Sequence, residues 1–368
     1  MSRIIISGGG TGGHIFPAVS IADALKRIEP DCEILFVGAL GRMEMERVPA
    51  AGYKIVGLPV AGLRRTISFD NLALPFKVAK SIRKAGDIIK EFRPDVVVGV
   101  GGYASAPVLW SASKKKIPCL IQEQNSYAGL TNKILGKRVD KICVAYDNMD
   151  KFFPADKIVF TGNPIRQDIA PATAEQKAEG YKFYGLDPEK KTIFVVGGSL
   201  GAGTLNSTMK KWIVEKSATA DYQVLWQNGK VYKDSVNAFM ESHKPSNVVN
   251  LDFIKRMDLA YAVADILISR AGAGTISELC VAGKATIFVP SPNVAEDHQR
   301  HNAMALVEKD AAMMVLDSEA QEKLMDTAEA LLNDSAKIAA MEHNILRLGK
   351  KDAADRIAQM VLEMIKKD

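Results

Sequence analysis

The chain has 368 residues, of which 47% are hydrophobic and 25% are charged, and its formal net charge is +5 at pH 7. These values exclude a disordered chain, a collagen-like fibre and a small disulfide-linked scaffold, and the length suits about two globular domains. The 4 cysteines are scattered and form no zinc-like cluster with histidine, so we expect buried, reduced thiols and a cytosolic compartment.

Short apolar runs alternate with helical patterns along the whole chain. Some runs, such as residues 96–98, have no polar alternation, which is typical of strands covered on both faces. The alternation predicts an α/β fold with doubly wound parallel sheets. We predict neither a signal peptide nor a membrane-spanning helix. The predicted strands are residues 3–7, 33–37, 96–100, 118–122, 141–144, 192–196, 223–226, 248–252, 266–269 and 286–289.

Four of these strands lead into glycine-rich turns, two in each half of the chain. The first pair lies at residues 8–13 and 99–107, and a similar pair recurs at residues 197–203 and 270–274. The recurrence predicts two similar doubly wound domains. Backbone amides in such turns, together with the following helix N-terminus, can bind a phosphate. The alternative is that the glycines only permit tight turns.

The domain boundary is predicted near residues 161–164. This gives an N-terminal domain over residues 1–162 and a C-terminal domain over residues 163–352. Residues 168–180 are rich in Ala, Glu, Thr and Pro, which is typical of a connecting segment. Residues 353–368 have apolar side chains at helical spacing, so we expect a packed C-terminal helix that returns to the first domain.

The first glycine turn matches the G-x-G-x-x-G pattern of dinucleotide-binding folds. In those folds an acid that binds ribose follows the second strand. Here the second strand leads into Gly38 and Ala39, so the acid is absent and a nicotinamide cofactor is disfavoured.

Two polar residues near the second pair of turns are candidates for binding a nucleotide diphosphate. Ser199 would add a hydroxyl to the amides of its turn, and it could equally be a helix N-cap. Glu278 could accept hydrogen bonds from both ribose hydroxyls, but acids are also favoured near helix N-termini for electrostatic reasons alone.

His14 directly follows the first turn, at the start of a predicted helix. The positive end of that helix disfavours the imidazolium, so we expect a neutral side chain that can accept a proton. The alternative is a residue that only hydrogen-bonds locally. No D-x-D motif offers a carboxylate pair for a metal–diphosphate bridge, which predicts a metal-free site. Arg166 would then help to stabilise a leaving diphosphate.

A basic segment covers residues 62–93, with eight Lys or Arg against three Asp or Glu. Apolar side chains are interleaved with these cations, which suits an anionic membrane surface. The alternative is a solvated basic helix over an ordinary core. The candidate membrane-binding residues are Arg64, Arg65, Lys80 and Arg83.

Eight motifs occur in one order over nearly the whole chain. They closely resemble those of the MurG family, the peptidoglycan N-acetylglucosaminyltransferases that make lipid II. The resemblance implies a GT-B fold, in which two Rossmann-like domains face a cleft that holds the active site. The motifs lie at residues 8–17, 99–107, 123–125, 129–133, 162–166, 197–199, 269–278 and 299–303.

The resemblance also implies the reaction and its setting. N-acetylglucosamine (GlcNAc) would pass from UDP-GlcNAc to the 4-hydroxyl of N-acetylmuramic acid in lipid I, with inversion and without a cofactor or metal. The first domain would bind the acceptor and the membrane, and the second would bind UDP-GlcNAc. The implied partners are UDP-GlcNAc, lipid I, an anionic membrane surface and other cell-wall synthesis proteins, but not nucleic acid. The implied location is the cytoplasmic face of the inner membrane.

Site residues follow from the matching motifs. His14 is the leading candidate for the base, and Glu123 is the second, as a carboxylate expected in a polar loop. Tyr103 and Asn132 are implied on the acceptor side. The residues implied to bind UDP-GlcNAc are Thr11, Gly12, Gly13, Asn125, Arg166, Ser199, Ile254, Ala273, Gly274, Thr275, Ile276, Ser277, Glu278 and Gln299.

Within that set the resemblance implies separate roles. Ser199 would hold the diphosphate, the backbone of Ile254 the uracil, Glu278 the ribose, and Gln299 the hydroxyls of GlcNAc. Three other functions stay open. They are a GT-B transferase with another lipid acceptor such as diacylglycerol, a non-catalytic UDP-sugar-binding protein, and an NAD-dependent oxidoreductase.

Overall fold

The structure is a computed structural model that describes residues 1–60 and 74–365. The chain divides into two compact units, one formed by Met1–Arg166 with Lys350–Asp368 and the other by Gln167–Gly349. Each unit is built around one parallel β-sheet.

The first unit begins with strand β1, which leads through the first glycine turn into helix α1. The strands of this unit are β1 (Arg3–Ser7), β2 (Glu33–Ala39), β3 (Lys54–Leu58), β4 (Val96–Gly99), β5 (Cys119–Glu123), β6 (Lys141–Val144) and β7 (Ile158–Phe160). The helices described between them are α1 (Gly12–Ile28), α2 (Glu44–Ala50), α3 (Leu74–Phe92), α4 (Ser105–Lys114) and α5 (Leu130–Gly136). The strand order in the sheet is β3-β2-β1-β4-β5-β6-β7.

The second unit repeats this arrangement. Its strands are β8 (Thr192–Val196), β9 (Gln223–Gln227), β10 (Val248–Leu251), β11 (Ile266–Ser269), β12 (Thr286–Phe288) and β13 (Met313–Met314). Its helices are α6 (Ala174–Tyr184), α7 (Gly203–Glu215), α8 (Lys233–His243), α9 (Met257–Val263), α10 (Ala273–Ala282), α11 (His298–Val307), α12 (Ala320–Leu332) and α13 (Ser335–Arg347). The strand order is β10-β9-β8-β11-β12-β13, so both sheets have the doubly wound Rossmann-like order around their first strand. The predicted fold class is confirmed.

The core of the first unit explains why its central strands are apolar throughout. Ile4 and Ile6 are buried with residues of α1 on one face of the sheet, and Ile5 is buried with residues of α3 and α4 on the other. Since successive side chains of a strand point to opposite faces, a strand covered on both sides needs an unbroken apolar run.

The last helix, α14 (Ala353–Ile365), lies in the first unit and not in the second. Ile357, Ala358 and Val361 are fully buried in the same cluster as Ile21 and Leu25 of α1. The chain therefore leaves the first unit after Arg166 and returns to it at Lys350.

Three strands were not predicted, and all three are edge strands. They are β3, β7 and β13, of which β7 has 3 residues and β13 has 2. An edge strand has a neighbour on one side only, so it can be short and needs no long apolar run.

The predicted connecting segment over residues 168–180 is wrong in its second part, because α6 begins at Ala174. The Thr173 hydroxyl accepts from the Gln176 amide, and the Gln176 side chain accepts from the Thr173 amide. This capping box starts a helix in a stretch whose composition alone indicates a linker.

All four cysteines are free and buried, as predicted. Burial raises the pKa of the Cys143 thiol to about 12, so that thiol is not reactive at neutral pH. Over residues 1–60 and 74–365, every helix is too short or too polar to cross a membrane.

Candidate functional site

In the first unit, the two glycine turns lie side by side because they follow paired strands. β1 and β4 are parallel neighbours, and their carboxyl ends meet at one edge of the sheet. A Cβ atom at Gly102 would collide with the carbonyl oxygen of Gly9, and the φ angle of Gly102 is +83°. Only glycine permits this approach, so the turns act as one backbone surface.

His14 lies on this surface, in the first turn of α1. Its Nδ1 is 3.3 Å from the Thr11 hydroxyl oxygen, and a Cβ built on Gly101 would lie 2.9 Å from its Nε2. Thr11 is the N-cap of α1, but its side chain does not cap the helix, whose first residues are Gly12 and Gly13. The structure thus brings together the four predicted site residues at positions 11–14.

A buried carboxylate, which the sequence analysis missed, lies beneath the first turn. Glu44 is 1% exposed and accepts hydrogen bonds from the Gly10 and Ala39 amides, each at 2.9 Å. Glu44 lies five residues after Ala39, which ends the second strand. The sequence feature that could have identified Glu44 is an acidic residue near the end of a strand that neighbours a glycine turn.

Glu123 is the last residue of β5 and is 2% exposed, so the expectation of a polar loop is wrong. One carboxylate oxygen accepts from the Asn125 amide at 3.0 Å and from its side chain at 3.2 Å. The other accepts from the Gly129 amide at 3.0 Å and from the Asn132 side chain at 2.9 Å. Burial raises the pKa of Glu123, and these four donors oppose that effect.

Buried amide side chains connect the neighbouring strand ends. Gln122 donates to Asn163 at 2.8 Å, Asn163 donates to the Gln124 carbonyl at 3.0 Å, and Gln124 donates to the Val100 carbonyl at 2.8 Å. Gln124 and Asn163 lie in two of the sequence motifs, which predict no role for them. Their contacts fix the loops that carry Asn125 and the second turn.

In the second unit, the turn after β8 is held by Gln227 at the end of β9. The Gln227 side-chain oxygen accepts from the Gly197 amide at 3.2 Å, and its nitrogen donates to the Gly198 and Asp252 carbonyls at 3.0 Å each. Ser199 is exposed on this turn. The N-cap of α7 is Ala202, so the alternative role of Ser199 as an N-cap is wrong.

The turn before α10 brings Gln299 to the residues predicted around positions 273–278. The Gln299 side-chain oxygen accepts from the Ala271 amide at 3.1 Å and from the Ser291 amide at 2.9 Å. Its side-chain nitrogen is the atom that can donate to a ligand. The Ser277 hydroxyl donates to the Ala273 carbonyl at 3.0 Å, within the helix.

Further along α10, Glu278 is half-buried and accepts from the Tyr261 hydroxyl at 3.2 Å. This bond orients one carboxylate oxygen. Ile254 follows β10 and its side chain is buried, at 5% exposure. The role predicted for Ile254 is a contact of its backbone with the uracil. Burial of the side chain holds this backbone in place.

The remaining predicted site residues make none of the contacts described above for the glycine turns of the two units. Arg166 is exposed at the end of the first unit's main segment, and Tyr103 is 56% exposed on the second turn. Lys80 and Arg83 are exposed on α3. Arg64 and Arg65 lie outside the described residues.

Among the residues that the structure describes, no three His, Cys, Asp or Glu side chains are grouped so that they could hold a metal ion.

Two family models match this chain. Residues 4–144 match the glycosyltransferase family 28 N-terminal domain, and residues 192–357 match the glycosyltransferase family 28 C-terminal domain. Together they cover most of both units.

Two relatives that match nearly the whole chain have the same name. A Parabacteroides distasonis protein is 55% identical over 365 residues, with 99% of each chain covered, and a Bacteroides thetaiotaomicron protein is 54% identical over 363 residues, with 98% and 97% covered. Both are named UDP-N-acetylglucosamine–N-acetylmuramyl-(pentapeptide) pyrophosphoryl-undecaprenol N-acetylglucosamine transferase.

Solved structures share the fold over the full length. The crystal structure of Acinetobacter baumannii MurG has a TM-score of 0.80 at 27% identity, with 99% of this chain and 100% of that chain covered. A UDP-GlcNAc 2-epimerase from Neisseria meningitidis, solved with UDP-GlcNAc, has a TM-score of 0.66 at 14% identity, with 99% and 100% covered.

Proposed function

The chain belongs to glycosyltransferase family 28, and on that premise we propose that it transfers GlcNAc from UDP-GlcNAc to the 4-hydroxyl of N-acetylmuramic acid in lipid I. The product is lipid II, the precursor of peptidoglycan. The enzyme is an N-acetylglucosaminyltransferase, and its fold is the expected GT-B fold with two Rossmann-like units.

One observation carries the proposal: relatives that are 52–55% identical over the whole chain have the name of this transferase. The matches cover 98–100% of this chain, so both units and the segments between them lie within the aligned region. The more distant likeness to the epimerase supports the fold alone.

UDP-GlcNAc binds mainly to the second unit in this proposal. Ser199 and nearby amides hold the diphosphate, the Ile254 backbone contacts the uracil, and Glu278 accepts from the ribose hydroxyls. Gln299 donates to a GlcNAc hydroxyl through its side-chain nitrogen, since its oxygen already accepts from two backbone amides. Further contacts with UDP-GlcNAc come from Thr11, Gly12, Gly13, Asn125, Arg166, Ala273, Gly274, Thr275, Ile276 and Ser277.

His14 is the base of the reaction. In the tautomer that catalysis needs, Nδ1–H donates to the Thr11 hydroxyl and Nε2 accepts the proton of the acceptor hydroxyl. The hydroxyl oxygen forms a bond to the anomeric carbon while the bond to the diphosphate breaks, and UDP leaves from the opposite face. Helix N-terminal amides, Ser199 and Arg166 stabilise the charge on the leaving diphosphate.

Glu123 has a different role, because its four hydrogen bonds occupy both of its oxygens. It fixes the loop between β5 and α5, including Asn125 and Asn132. Asn132 thus acts on the acceptor side through this loop, whereas Tyr103, which is exposed, contacts the acceptor directly.

The enzyme binds as a peripheral protein to the cytoplasmic face of the inner membrane, where lipid I and other cell-wall synthesis proteins are its partners. What supports this is α3, on which Lys80, Arg83 and the 46% exposed Val78 face solvent. A cationic surface with exposed apolar groups suits anionic lipid.

The test is transfer of radiolabelled GlcNAc from UDP-GlcNAc to a lipid I analogue in detergent or vesicles. We expect transfer by the wild type, the same rate with EDTA, and a loss of about 10²- to 10⁴-fold for His14→Ala. The matched control is His243→Ala, because His243 is exposed on α8 of the second unit.

Other outcomes would contradict specific parts of the proposal. Transfer to diacylglycerol but not to lipid I would indicate a different lipid acceptor. Binding of UDP without turnover would indicate a non-catalytic UDP-sugar-binding protein, and tighter binding of NADH than of UDP would indicate an oxidoreductase. A full rate for His14→Ala would remove His14 as the base.

A further inference from the structure

The Glu44 carboxylate connects two elements that are far apart in sequence. One oxygen accepts from Gly10 in the turn after β1, and the other accepts from Ala39 at the end of β2, both at 2.9 Å. A Cβ at Gly9 would collide with this carboxylate, so the turn is wrapped closely around it. At 1% exposure, Glu44 is a buried charge that backbone amides neutralise in part.

In the second unit, a neutral buried side chain makes the equivalent contact with the glycine turn. β9 pairs with β8 as β2 pairs with β1, and Gln227 at its end accepts from the Gly197 amide. Gln227 is 3% exposed. Each unit thus holds its first glycine turn through a buried side chain located at or after the end of the neighbouring strand. The side chain is an anion in the first unit and an amide in the second.

This difference in charge matters for ligands with a diphosphate. A buried negative charge beneath a turn repels a phosphate bound above it, and it also uses the Gly10 amide that a phosphate would need. In the second unit, the neutral Gln227 imposes no such repulsion. In the first unit, the Thr11 side chain does not cap α1, whose first residues are Gly12 and Gly13.

We propose that Glu44 is a positioning residue for the transfer, because its carboxylate fixes the turn from which α1 and His14 begin and keeps the Gly10 amide from binding a phosphate. The catalytic part of this inference rests on the proposed function. The fixing of the turn does not depend on it.

The test is Glu44→Gln in the full chain, which keeps the shape of the side chain. Its amide nitrogen would face a backbone N–H, so one of the two hydrogen bonds is lost together with the charge. We expect hydrogen exchange over residues 8–15 to become about tenfold faster or more, with no change over residues 197–206. We expect kcat to fall about 10- to 100-fold, with a smaller rise in the KM for UDP-GlcNAc, because most of the contacts with UDP-GlcNAc come from the second unit.

Ser111→Ala is the matched control for a general loss of stability. It removes a buried hydroxyl of α4 that donates to the Ile82 carbonyl at 3.2 Å, in the same unit. We expect it to lower the unfolding midpoint without changing kcat at a temperature where it is folded.

Three results would overturn the inference. They are unchanged exchange over residues 8–15 in Glu44→Gln, a raised KM for UDP-GlcNAc with unchanged kcat, or a fall in kcat that Ser111→Ala reproduces at equal stability. If the wild type showed no transfer, the proposed function would fail, and the exchange measurement would still decide whether Glu44 fixes the turn.

Discussion

Among single residues, Glu123 shows how burial and hydrogen bonding compete at one carboxylate. Burial raises its pKa above the unfolded value of about 4.3, although four donors contact it. Over the pH range between those two pKa values, the native chain holds a proton that the unfolded chain has released. The free energy of unfolding therefore falls as the pH rises through this range.

Glu123→Gln cannot ionise at this position and should lack that dependence. We therefore compare the free energies of unfolding of the two proteins. We expect the wild-type value minus the variant value to decrease as the pH rises above about 4.3. Urea denaturation of both proteins over a series of pH values measures this difference. A difference that increased with pH would show that the four donors outweigh burial.

A site residue could be predicted from the sequence only when its partners lie close to it along the chain. His14 and Thr11 adjoin a glycine turn in the sequence, so pattern alone indicates them. Glu44 and Gln227 bind backbone amides about 30 residues away, at positions that only the pairing of strands brings close. No local pattern encodes such a contact.

Among the elements, the central strands and the edge strand β10 were predictable, whereas the other three edge strands were not. Burial on both faces requires continuous apolar runs in β1, β4 and β8, whereas β7 and β13 need only a few residues. Helix α6 was missed for a related reason, since a capping box outweighs the linker-like composition around it.

Helix α3 has the charges on which membrane binding would depend. We expect Lys80→Glu with Arg83→Glu to weaken binding to vesicles that contain anionic lipid, because each reversal replaces attraction by repulsion. The reversals should have little effect on neutral vesicles. Co-sedimentation of the protein with both kinds of vesicle measures the effect.

The matched control for that experiment is Lys211→Glu with Lys244→Glu. It makes the same change in net charge at two exposed lysines of the second unit. Equal weakening by both double variants would show that total charge, and not α3, governs binding.

Helix α14 is expected to contribute strongly to the stability of the first unit. Ile357 is fully buried against α1, so Ile357→Ala should lower the free energy of unfolding by about 2–5 kcal/mol. Val214→Ala, at a side chain that is 62% exposed on α7, should have little effect. Urea denaturation compares the two, and equal effects would mean that α14 is not part of that core.

For the molecule as a whole, each unit has its own core, so binding of UDP should stabilise one unit more than the other. At a UDP concentration of 100 Kd, a site in the second unit adds about 2.7 kcal/mol to its free energy of unfolding. Trp212 and Trp226 lie in the second unit and Trp110 lies in the first. Trp110→Phe therefore leaves fluorescence that reports on the second unit alone.

We expect UDP to shift the fluorescence transition of Trp110→Phe in urea, and cytidine monophosphate at the same concentration to shift it much less. Stabilisation of the first unit instead, as seen by hydrogen exchange of α1, would contradict the assignment of the nucleotide to the second unit.

The two-unit organisation was predictable because the strand and glycine-turn pattern occurs twice in the chain. The extent of each unit was harder to predict, since the first unit is completed by a segment that begins more than 180 residues after Arg166. Helical spacing marks residues 353–365 as a packed helix, and the contacts of Ile357 and Val361 show that its partner in the first unit is α1.

The return of α14 to the first unit has a consequence for synthesis on the ribosome. Residues 1–166 emerge early, yet the part of α1 that packs against Ile357 and Val361 stays uncovered until α14 has been translated. The second unit is made entirely within that interval, so the nascent protein can complete its later half before its earlier one. A stop codon just before residue 350 would release a polypeptide whose opening half never gains its last helix.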